Sequence, residues 1–145
     1  MAKKKKETVK TSNIVASGKR KTSIAKAFIT SGNGKIFINR KNINTFNYFE
    51  KLRIKEVIDL AEQINKEILK NIDIKVIVYG GGKTSRLEAV RLAIAKALVD
   101  YSKDKALRDN FIRYDRSLLV ADTRRKEQRK PNDSKARAKR QKSYR

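Results

Sequence analysis

Residues 72–102 read IDIKVIVYGGGKTSRLEAVRLAIAKALVDYS, and this stretch decides the fold. Its first eight residues, Ile72–Tyr79, are mostly β-branched and apolar, which is typical of a buried strand. Three glycines follow as a turn, and apolar residues then recur at four-residue spacing, which predicts an amphipathic helix. That stripe consists of Ala89, Val90, Ala93, Ile94, Ala97, Leu98 and Tyr101. Because Ser85 and Glu88 have the spacing of a capping box, we expect the helix to begin near Arg86.

The segment before this unit predicts three further strands. Residues 14–17 and 23–30 contain β-branched and apolar side chains, and the second run alternates as a half-buried strand does. The sequence SGNG at 31–34 is a strong turn signal, because glycine and asparagine tolerate positive φ angles. Residues 35–38 return as another strand, so we expect 23–30 and 35–38 to pair as a hairpin.

Two more helices complete the predicted domain. A helix over 55–70 is predicted by apolar residues at helical spacing, whereas residues 39–50 are expected to be irregular. The apolar positions are Val57, Leu60, Ala61, Ile64 and Ile68. A shorter helix is expected over 105–112. We therefore predict one α+β domain, a sandwich of about four strands with helices packed on one face.

Charge is the second strong signal. The 145 residues contain 38 Lys and Arg against 15 Asp and Glu, a formal net charge of +23. Repulsion on this scale opposes a compact chain unless a polyanion supplies counter-charge. Nucleic acid is the usual polyanion, because neutralising its phosphates releases condensed counterions. No basic helix with a bulky apolar face stands out, so a membrane surface is not the expected partner.

The cations concentrate at both ends of the chain. Residues 1–12 carry a net charge of +4 and residues 124–145 carry +9, with few apolar side chains in either segment. Such segments cannot bury enough apolar surface to fold alone. We therefore expect a disordered basic N-terminal extension over 1–12, a globular domain that binds nucleic acid over 13–112 and an extended basic tail over 113–145. Composition alone does not separate RNA from DNA as the partner.

Composition excludes several functions. The sequence contains neither Cys nor His, which rules out disulfides, thiolate nucleophiles and imidazole metal sites, and we expect no metal or cofactor. The opening run MAKKKKETVK is followed by no apolar segment, so it does not resemble a secretory signal. No apolar stretch approaches the roughly 20 residues that a membrane span needs. A soluble cytoplasmic protein is expected.

The sequence GGGKTS at 80–85 is the most enzyme-like feature. Gly82-Lys83-Thr84 matches the end of a phosphate-binding loop, and LLVAD at 118–122 resembles the apolar run whose final Asp holds magnesium. A P-loop places its first glycine five residues before the second, and Ile77 occupies that position here. We interpret the stretch as a glycine turn before a capped helix, with Lys83 available to phosphate. A small nucleotide-binding enzyme is the alternative from another functional class.

Two basic segments are the candidate nucleic-acid contacts. GKRKTS at 18–23 places three cations and two hydroxyls in a turn, where they can reach phosphate oxygens. Arg124-Arg125-Lys126 opens a basic tail that can extend about 70 Å. The alternatives are a solvated loop, a targeting arm and a non-specific DNA-binding protein. Aromatic residues are 7% of the chain without an interleaved pattern, so phosphate and shape contacts are expected rather than base stacking.

Four ordered blocks of the sequence resemble the family of small-ribosomal-subunit protein nine. SGKRKTSIAKA at 17–27 resembles the opening signature of that family. The glycine triplet followed by EAVRLAIAKAL at 88–98 resembles its central signature. YDRSLLVADTRR at 114–125 and RAKRQKSYR at 137–145 resemble the archaeal and eukaryotic branch. Lys130-Pro131-Asn132 is similar to archaeal members.

The resemblance implies a non-catalytic protein of the small ribosomal subunit, with the α+β sandwich of the second domain of ribosomal protein five. That sandwich includes a left-handed βαβ crossover, whereas the ordinary rule predicts a right-handed one. The resemblance also implies binding to the 3′ major domain of 16S-type ribosomal RNA (rRNA), in the subunit head and beside neighbouring head proteins. The tail would reach toward transfer RNA (tRNA) in the peptidyl site, the P-site.

The resemblance and the charge pattern together give two sets of predicted contacts. The residues predicted to bind rRNA are Lys19, Arg20, Lys21, Thr22, Ser23, Lys83, Arg116, Arg124, Arg125, Lys126, Arg129, Lys130, Arg137, Lys139 and Arg140. Those predicted to bind tRNA are Lys142, Tyr144 and Arg145. After the glycine triplet, relatives usually have Gly-Gln-Ala where this chain has Ser85-Arg86-Leu87.

Overall fold

The computed structural model describes residues 14–133 and 135–138, and these residues form a five-stranded sheet. In chain order the strands are β1 (Ile14–Arg20), β2 (Ser23–Ser31), β3 (Ile36–Ile38), β4 (Lys41–Asn42) and β5 (Ile72–Tyr79). Across the sheet they are ordered β1-β2-β5-β3-β4. Neighbouring strands are antiparallel except β3 and β5, which are parallel.

Helices cover one face of this sheet. They are α1 (Tyr48–Ile64), which connects β3 and β4 to β5, then α2 (Lys83–Ser102) and α3 (Lys105–Tyr114). Two short 3-10 turns, Ile43–Thr45 and Arg116–Leu118, follow β4 and α3. Asp104 caps α3 by accepting a hydrogen bond from the Ala106 N–H at 2.9 Å. The predicted α+β class with helices on one face is confirmed.

The core lies between the covered face of the sheet and the three helices, with α2 packed on β1, β2 and β5 and with α1 and α3 packed against α2. Buried residues alternate along the strands, as expected when one face is covered and the other is open. Both apolar rows of α2 are buried except at its last turn, where Tyr101 is exposed. Alanines at Ala89, Ala93 and Ala97 keep the helix surface shallow, so the sheet approaches closely.

The predicted hairpin between the second and third strands is wrong. β2 pairs with β1 and β5, and β5 lies between β2 and β3. The turn at 31–34 bonds to the start of β5 instead: Gly34 N–H donates to Ile72 O at 3.0 Å. The Asp73 carboxylate accepts hydrogen bonds from Asn33 N–H and Lys35 N–H, both at 2.9 Å. These bonds fix the turn against β5 and leave no space for a β2–β3 pair.

Two helix boundaries differ from the predictions. The first helix runs from Tyr48 to Ile64, earlier than the predicted 55–70, and Ile68 is buried in the turn that follows. α2 begins at Lys83 rather than near Arg86, because the Ser85 hydroxyl accepts the Gly82 N–H at 3.0 Å inside the first turn. A hydroxyl three residues into the helix thus caps it from within.

The folded unit continues beyond residue 112, the boundary expected from sequence. α3 ends at Tyr114, and Leu118 is 1% exposed in the core cluster, with Leu119 packed against it. Asp115 fixes this corner by accepting Ser117 N–H at 2.8 Å and the Ser117 hydroxyl at 2.6 Å. Bonds from Ser117 lower the pKa of Asp115. The basic tail therefore starts from an anchored apolar corner.

Candidate nucleic-acid interface

The turn between β1 and β2 presents cations at the edge of the sheet. The strands pair as far as Arg20 and Ser23, so Lys21 and Thr22 form the tip, with Lys21 at a φ of +52°. Lys19, Lys21 and Thr22 are exposed. Their ammonium and hydroxyl groups are free to meet phosphate oxygens, as predicted for this turn.

Gly18 at the start of the basic turn serves packing. A Cβ at this position would lie 2.2 Å from Ala89 O and 2.7 Å from Ala93 N, both backbone atoms of α2. Only a glycine allows β1 to approach the helix this closely. The turn is therefore held directly against α2.

The motifs GKRKTS at 18–23 and GGGKTS at 80–85 meet at this end of the sheet. Ser23 is fully buried, and its hydroxyl lies 2.8 Å from the Ser85 hydroxyl and donates to Gly80 O at 3.1 Å. Gly81 has a φ of +61°, and a Cβ there would overlap the Ser23 hydroxyl. The interior of the GGGKTS turn is thus filled by protein hydroxyls, which leaves no cradle for a triphosphate. The prediction that Ser23 contacts rRNA is corrected: its hydroxyl joins the two turns.

Lys83 and Arg86 lie at the start of α2, at the same end of the sheet as the β1–β2 turn. They line a hollow on the side of β3 and β4, together with Ile38 and Lys41 among others. Both side chains are exposed, and Arg86 Nε donates to Gly80 O at 2.8 Å. The helix N-terminus adds partial positive charge at this point, and its first turn contains no acidic residue. We call Lys21, Thr22, Lys83 and Arg86 the cationic edge. Sequence reasoning noted Arg86 only as a departure from the family pattern and missed it as a candidate contact.

Arg20 faces the protein rather than solvent. Its Nε lies 2.6 Å from Glu88 Oε2 on α2 and its Nη2 lies 3.1 Å from Asp122 Oδ2, and the side chain is 16% exposed. A guanidinium held by two carboxylates is not available to a phosphate. The prediction that Arg20 binds rRNA directly is corrected: it connects β1, α2 and the segment after Leu119.

Asp122 is the anchor of the C-terminal segment. It accepts the Arg124 backbone N–H at 2.7 Å and side-chain bonds from Arg124 at 2.7 and 2.9 Å, in addition to the contact with Arg20. The bonds from Arg124, followed by the charge of Arg20, lower the pKa of Asp122 to about 2. The carboxylate therefore stays ionised at any physiological pH. It neutralises arginines here, unlike the magnesium-binding Asp suggested by the LLVAD run.

A second group, made of one ion pair and one hydrogen bond, connects the three helices. Arg91 Nη2 on α2 lies 2.8 Å from Glu56 Oε2 on α1, and the Tyr114 hydroxyl of α3 donates to Glu56 Oε1 at 2.7 Å. The bond to Glu56 raises the pKa of Tyr114. Between this group and Asp122 lies a pocket of about 440 Å³ that both groups line. The pocket mixes both signs of charge, which favours a structural role.

The described part of the C-terminal segment exposes most of its cations. Residues 121–133 and 135–138 contain no helix or strand. Arg124 pairs with Asp122 at 2.7 Å and Arg137 Nε pairs with Glu127 at 2.8 Å, whereas the remaining predicted contacts of this part of the chain form no ion pair within the described residues. These are Arg116, Arg125, Lys126, Arg129 and Lys130, and all are exposed. Lys139, Arg140, Lys142, Tyr144 and Arg145 lie outside the described residues.

Within 14–133 and 135–138, no group of three or more acidic side chains is placed to hold a metal ion. No helix in the same ranges is both long enough and apolar enough to cross a bilayer.

An α+β domain that exposes cations at one end of its sheet and continues into a basic segment is typical of the class of nucleic-acid-binding structural proteins. The family model described as ribosomal protein S9/S16 matches residues 18–145. The chain belongs to this family, which confirms the resemblance found in the sequence.

Three similar proteins come from archaea. The chain is 48% identical over 132 residues to small ribosomal subunit protein uS9 of Picrophilus torridus, covering 91% of this chain and 97% of that protein. It is 44% identical over 131 residues to the proteins of the same name from Methanococcus vannielii and Methanococcus maripaludis, covering 88% of this chain and 95% of each.

Proposed function

We propose that this protein is a structural constituent of the small ribosomal subunit and that it binds 16S-type rRNA in the subunit head. The observation that carries the proposal is the family match over residues 18–145, together with relatives named as small-subunit proteins. The net charge of +23 supports it, because a ribosomal protein is neutralised by the RNA on which it is assembled.

The described geometry divides the cations into those that pair with carboxylates of the protein and those that are exposed to a partner. Arg20 and Arg91 are paired with carboxylates of other elements and hold those elements together, whereas Arg124 pairs with Asp122 in its own segment. Exposed cations of the turn, the cationic edge and the C-terminal segment would contact the RNA backbone. These are Lys19, Lys21, Lys83, Arg86, Arg116, Arg125, Lys126, Arg129 and Lys130. Binding through phosphates positions a protein on folded RNA without reading its sequence.

The protein is not an enzyme, as the family match indicates. The alternative based on GGGKTS lacks support in the structure, since Ser23 and Ser85 occupy the turn. The alternative of a non-specific DNA-binding protein predicts similar affinities for duplex DNA and for rRNA at physiological salt. The proposal predicts a clear preference for the rRNA, because only the folded RNA matches the arrangement of edge and tail.

We further propose that the last residues reach P-site tRNA, with Lys142, Tyr144 and Arg145 as the contacts, on cytoplasmic ribosomes beside other head proteins. Deleting residues 141–145 should weaken tRNA retention at the P-site by several-fold, because it removes two cations and one tyrosine. Filter binding of tRNA to purified small subunits that contain the truncated protein measures this effect.

The matched control for the deletion is the pair Lys3→Ala and Lys4→Ala, which removes the same number of cations from the other end of the chain. Subunit assembly should proceed normally with both proteins. If the truncated chain fails to enter small subunits while the control enters, the last residues are an assembly element and the tRNA proposal is wrong.

A further inference from the structure

The open face of the sheet is the largest surface that the proposed function leaves unexplained. Helices cover the opposite face, so one side chain in two on each strand points away from the core. On β1, β2 and β5 these residues are Val15, Ser17, Lys19, Ile24, Lys26, Phe28, Thr30, Asp73, Lys75, Ile77 and Tyr79. Val15 is 54%, Ile77 53% and Tyr79 50% exposed, which is unusual for bulky apolar side chains grouped on one face.

The lysines of this face form a diagonal line. Lys19 on β1 lies opposite Ile24, Lys26 on β2 lies opposite Ile77, and Lys75 on β5 lies opposite Phe28. Each lysine is therefore on the strand adjacent to that of the previous lysine, and it is displaced by two residues along the strand direction. Diagonal neighbours of this kind are about 7–8 Å apart in antiparallel pairs. Such a step is comparable with the separation of successive phosphates along one strand of RNA.

Apolar and aromatic side chains lie on both sides of the diagonal. Tyr79, Ile77 and Ile24 are on one side, and Phe28 and Val15 are on the other. Phe37 on β3 continues the row of Phe28 and Lys75. A hollow of about 590 Å³ opens beside it, lined by Phe37, Arg40, Lys75 and Ile77 among others. An aromatic side chain flanked by two cations offers a stacking surface for a base and partners for its phosphates.

Acidic groups are nearly absent from the open face. Asp73 is the one carboxylate on it among the described strand residues, and its Oδ1 accepts the Asn33 and Lys35 N–H groups. The N–H bonds from Lys35 and Asn33 lower the pKa of Asp73, and the charges of Lys35 and Lys75 lower it further. Lys19, Lys26 and Lys75 outnumber this one carboxylate, so the face keeps a positive balance. This charge favours a polyanion as the occupant over an apolar protein segment.

We propose that an unpaired strand of rRNA lies across the open face of the sheet, with its phosphates along Lys19, Lys26 and Lys75 and one base in the hollow beside Phe37. This inference rests on the proposed function and adds a second docking surface to the cationic edge. The expectation that bases do not stack on the sheet is replaced by this proposal. Arg40 would meet the phosphate next to the stacked base.

The test compares two double variants of the full chain. Lys26→Ala/Lys75→Ala removes two cations of the diagonal, and Lys66→Ala/Lys70→Ala removes two exposed cations beside the acidic surface of α1. The net charge is the same in both variants, so a difference in affinity for RNA depends on where the removed lysines lie. The probe is a transcript of the 3′ major domain of 16S-type rRNA carrying 4-thiouridine, which forms photo-crosslinks where bases touch side chains.

The diagonal variant should bind the transcript about tenfold more weakly than the control variant. The slope of log Kd against log salt should be shallower for the diagonal variant than for the control variant by about 1.4, the value for two contacts to single-stranded RNA. Crosslinks in the wild-type protein should map to the peptides containing Phe28, Phe37 or Tyr79 and should decrease in the diagonal variant. Circular dichroism should show the same fold for all proteins, since Lys26 and Lys75 are exposed.

Equal affinities for the two variants, with crosslinks confined to the turn and the C-terminal segment, would overturn the inference. The proposed function would survive that result, because the wild-type protein would still bind the transcript, and the face would then be assigned to a neighbouring protein. Failure of the wild-type protein itself to prefer the transcript over duplex DNA would instead overturn the proposed function, and the inference with it.

Discussion

Replacing Gly18 by alanine is expected to destabilise the folded chain by about 3 kcal/mol, the upper range for overpacking a tight contact. The added Cβ would meet Ala89 O and Ala93 N at 2.2 and 2.7 Å. These are backbone atoms of a long helix, so no side-chain rotation can relieve the overlap, and β1 and α2 must separate. The melting temperature should fall by roughly 10–20 °C.

Thermal unfolding followed by circular dichroism, in a buffer containing sulfate to screen the charge, measures this effect. Gly82→Ser is the matched control, because nothing lies within 4 Å of a Cβ at that position. Serine is also a favourable residue at the helix N-cap, which Gly82 occupies. The control should melt at or slightly above the wild-type temperature. An unchanged melting temperature for Gly18→Ala would show that β1 does not pack on α2 as described.

Replacing Arg125, Lys126, Arg129 and Lys130 together by alanine should weaken binding to 16S-type rRNA on the order of a hundredfold, if each contact contributes about 0.7 kcal/mol. These residues are exposed and form no ion pair within the described part of the chain. The slope of log Kd against log salt should become shallower by about 3.6 if each cation neutralises one phosphate of a duplex region.

A variant with Lys55, Lys66, Lys70 and Lys105 replaced by alanine has the same net charge and is the control. These lysines are exposed on or near the helices, away from the proposed contacts. The control should keep an affinity within about threefold of the wild type. Equal losses for the two variants would mean that binding depends on net charge alone, which is the behaviour of a non-specific polyanion binder.

The unit formed by β5 and α2 was the most predictable part of the fold. The strand Ile72–Tyr79 was predicted with its observed bounds, because its signal is a local run of β-branched residues. The apolar rows of α2 were also correct, since a long helix packed on a sheet repeats the same contact every turn. Its first residue was missed because a glycine turn can place the capping hydroxyl inside the helix as well as before it.

Strand pairing was less predictable, because it depends on residues far apart in sequence. The SGNG turn has every local feature of a hairpin, yet Asp73, some 40 residues later, binds its backbone and places β5 beside β2. The start of α1 was missed for a related reason. Tyr48 is 71% and Phe49 79% exposed, so the first turn of that helix shows no buried stripe.

The basic character of the candidate site was visible in the sequence, but the roles of its members were not. Arg20 and Lys21 are neighbours in one motif, and only the packing of Glu88 and Asp122 around Arg20 separates a structural arginine from an exposed lysine. Ser23 and Thr22 differ in the same way, because Thr22 lies at the exposed tip of the turn and Ser23 is the first residue of β2, on the covered face of the sheet. The sequence thus predicts a basic surface, and the tertiary contacts separate its paired side chains from its exposed ones.

Sedimentation of a cell extract through a sucrose gradient tests the central claim most directly. The protein should migrate with small ribosomal subunits and should remain there after a wash in moderately high salt, because many phosphate contacts and an anchored tail act together. Detection at the top of the gradient, free of RNA and unchanged after nuclease treatment, would contradict the assignment to the ribosome.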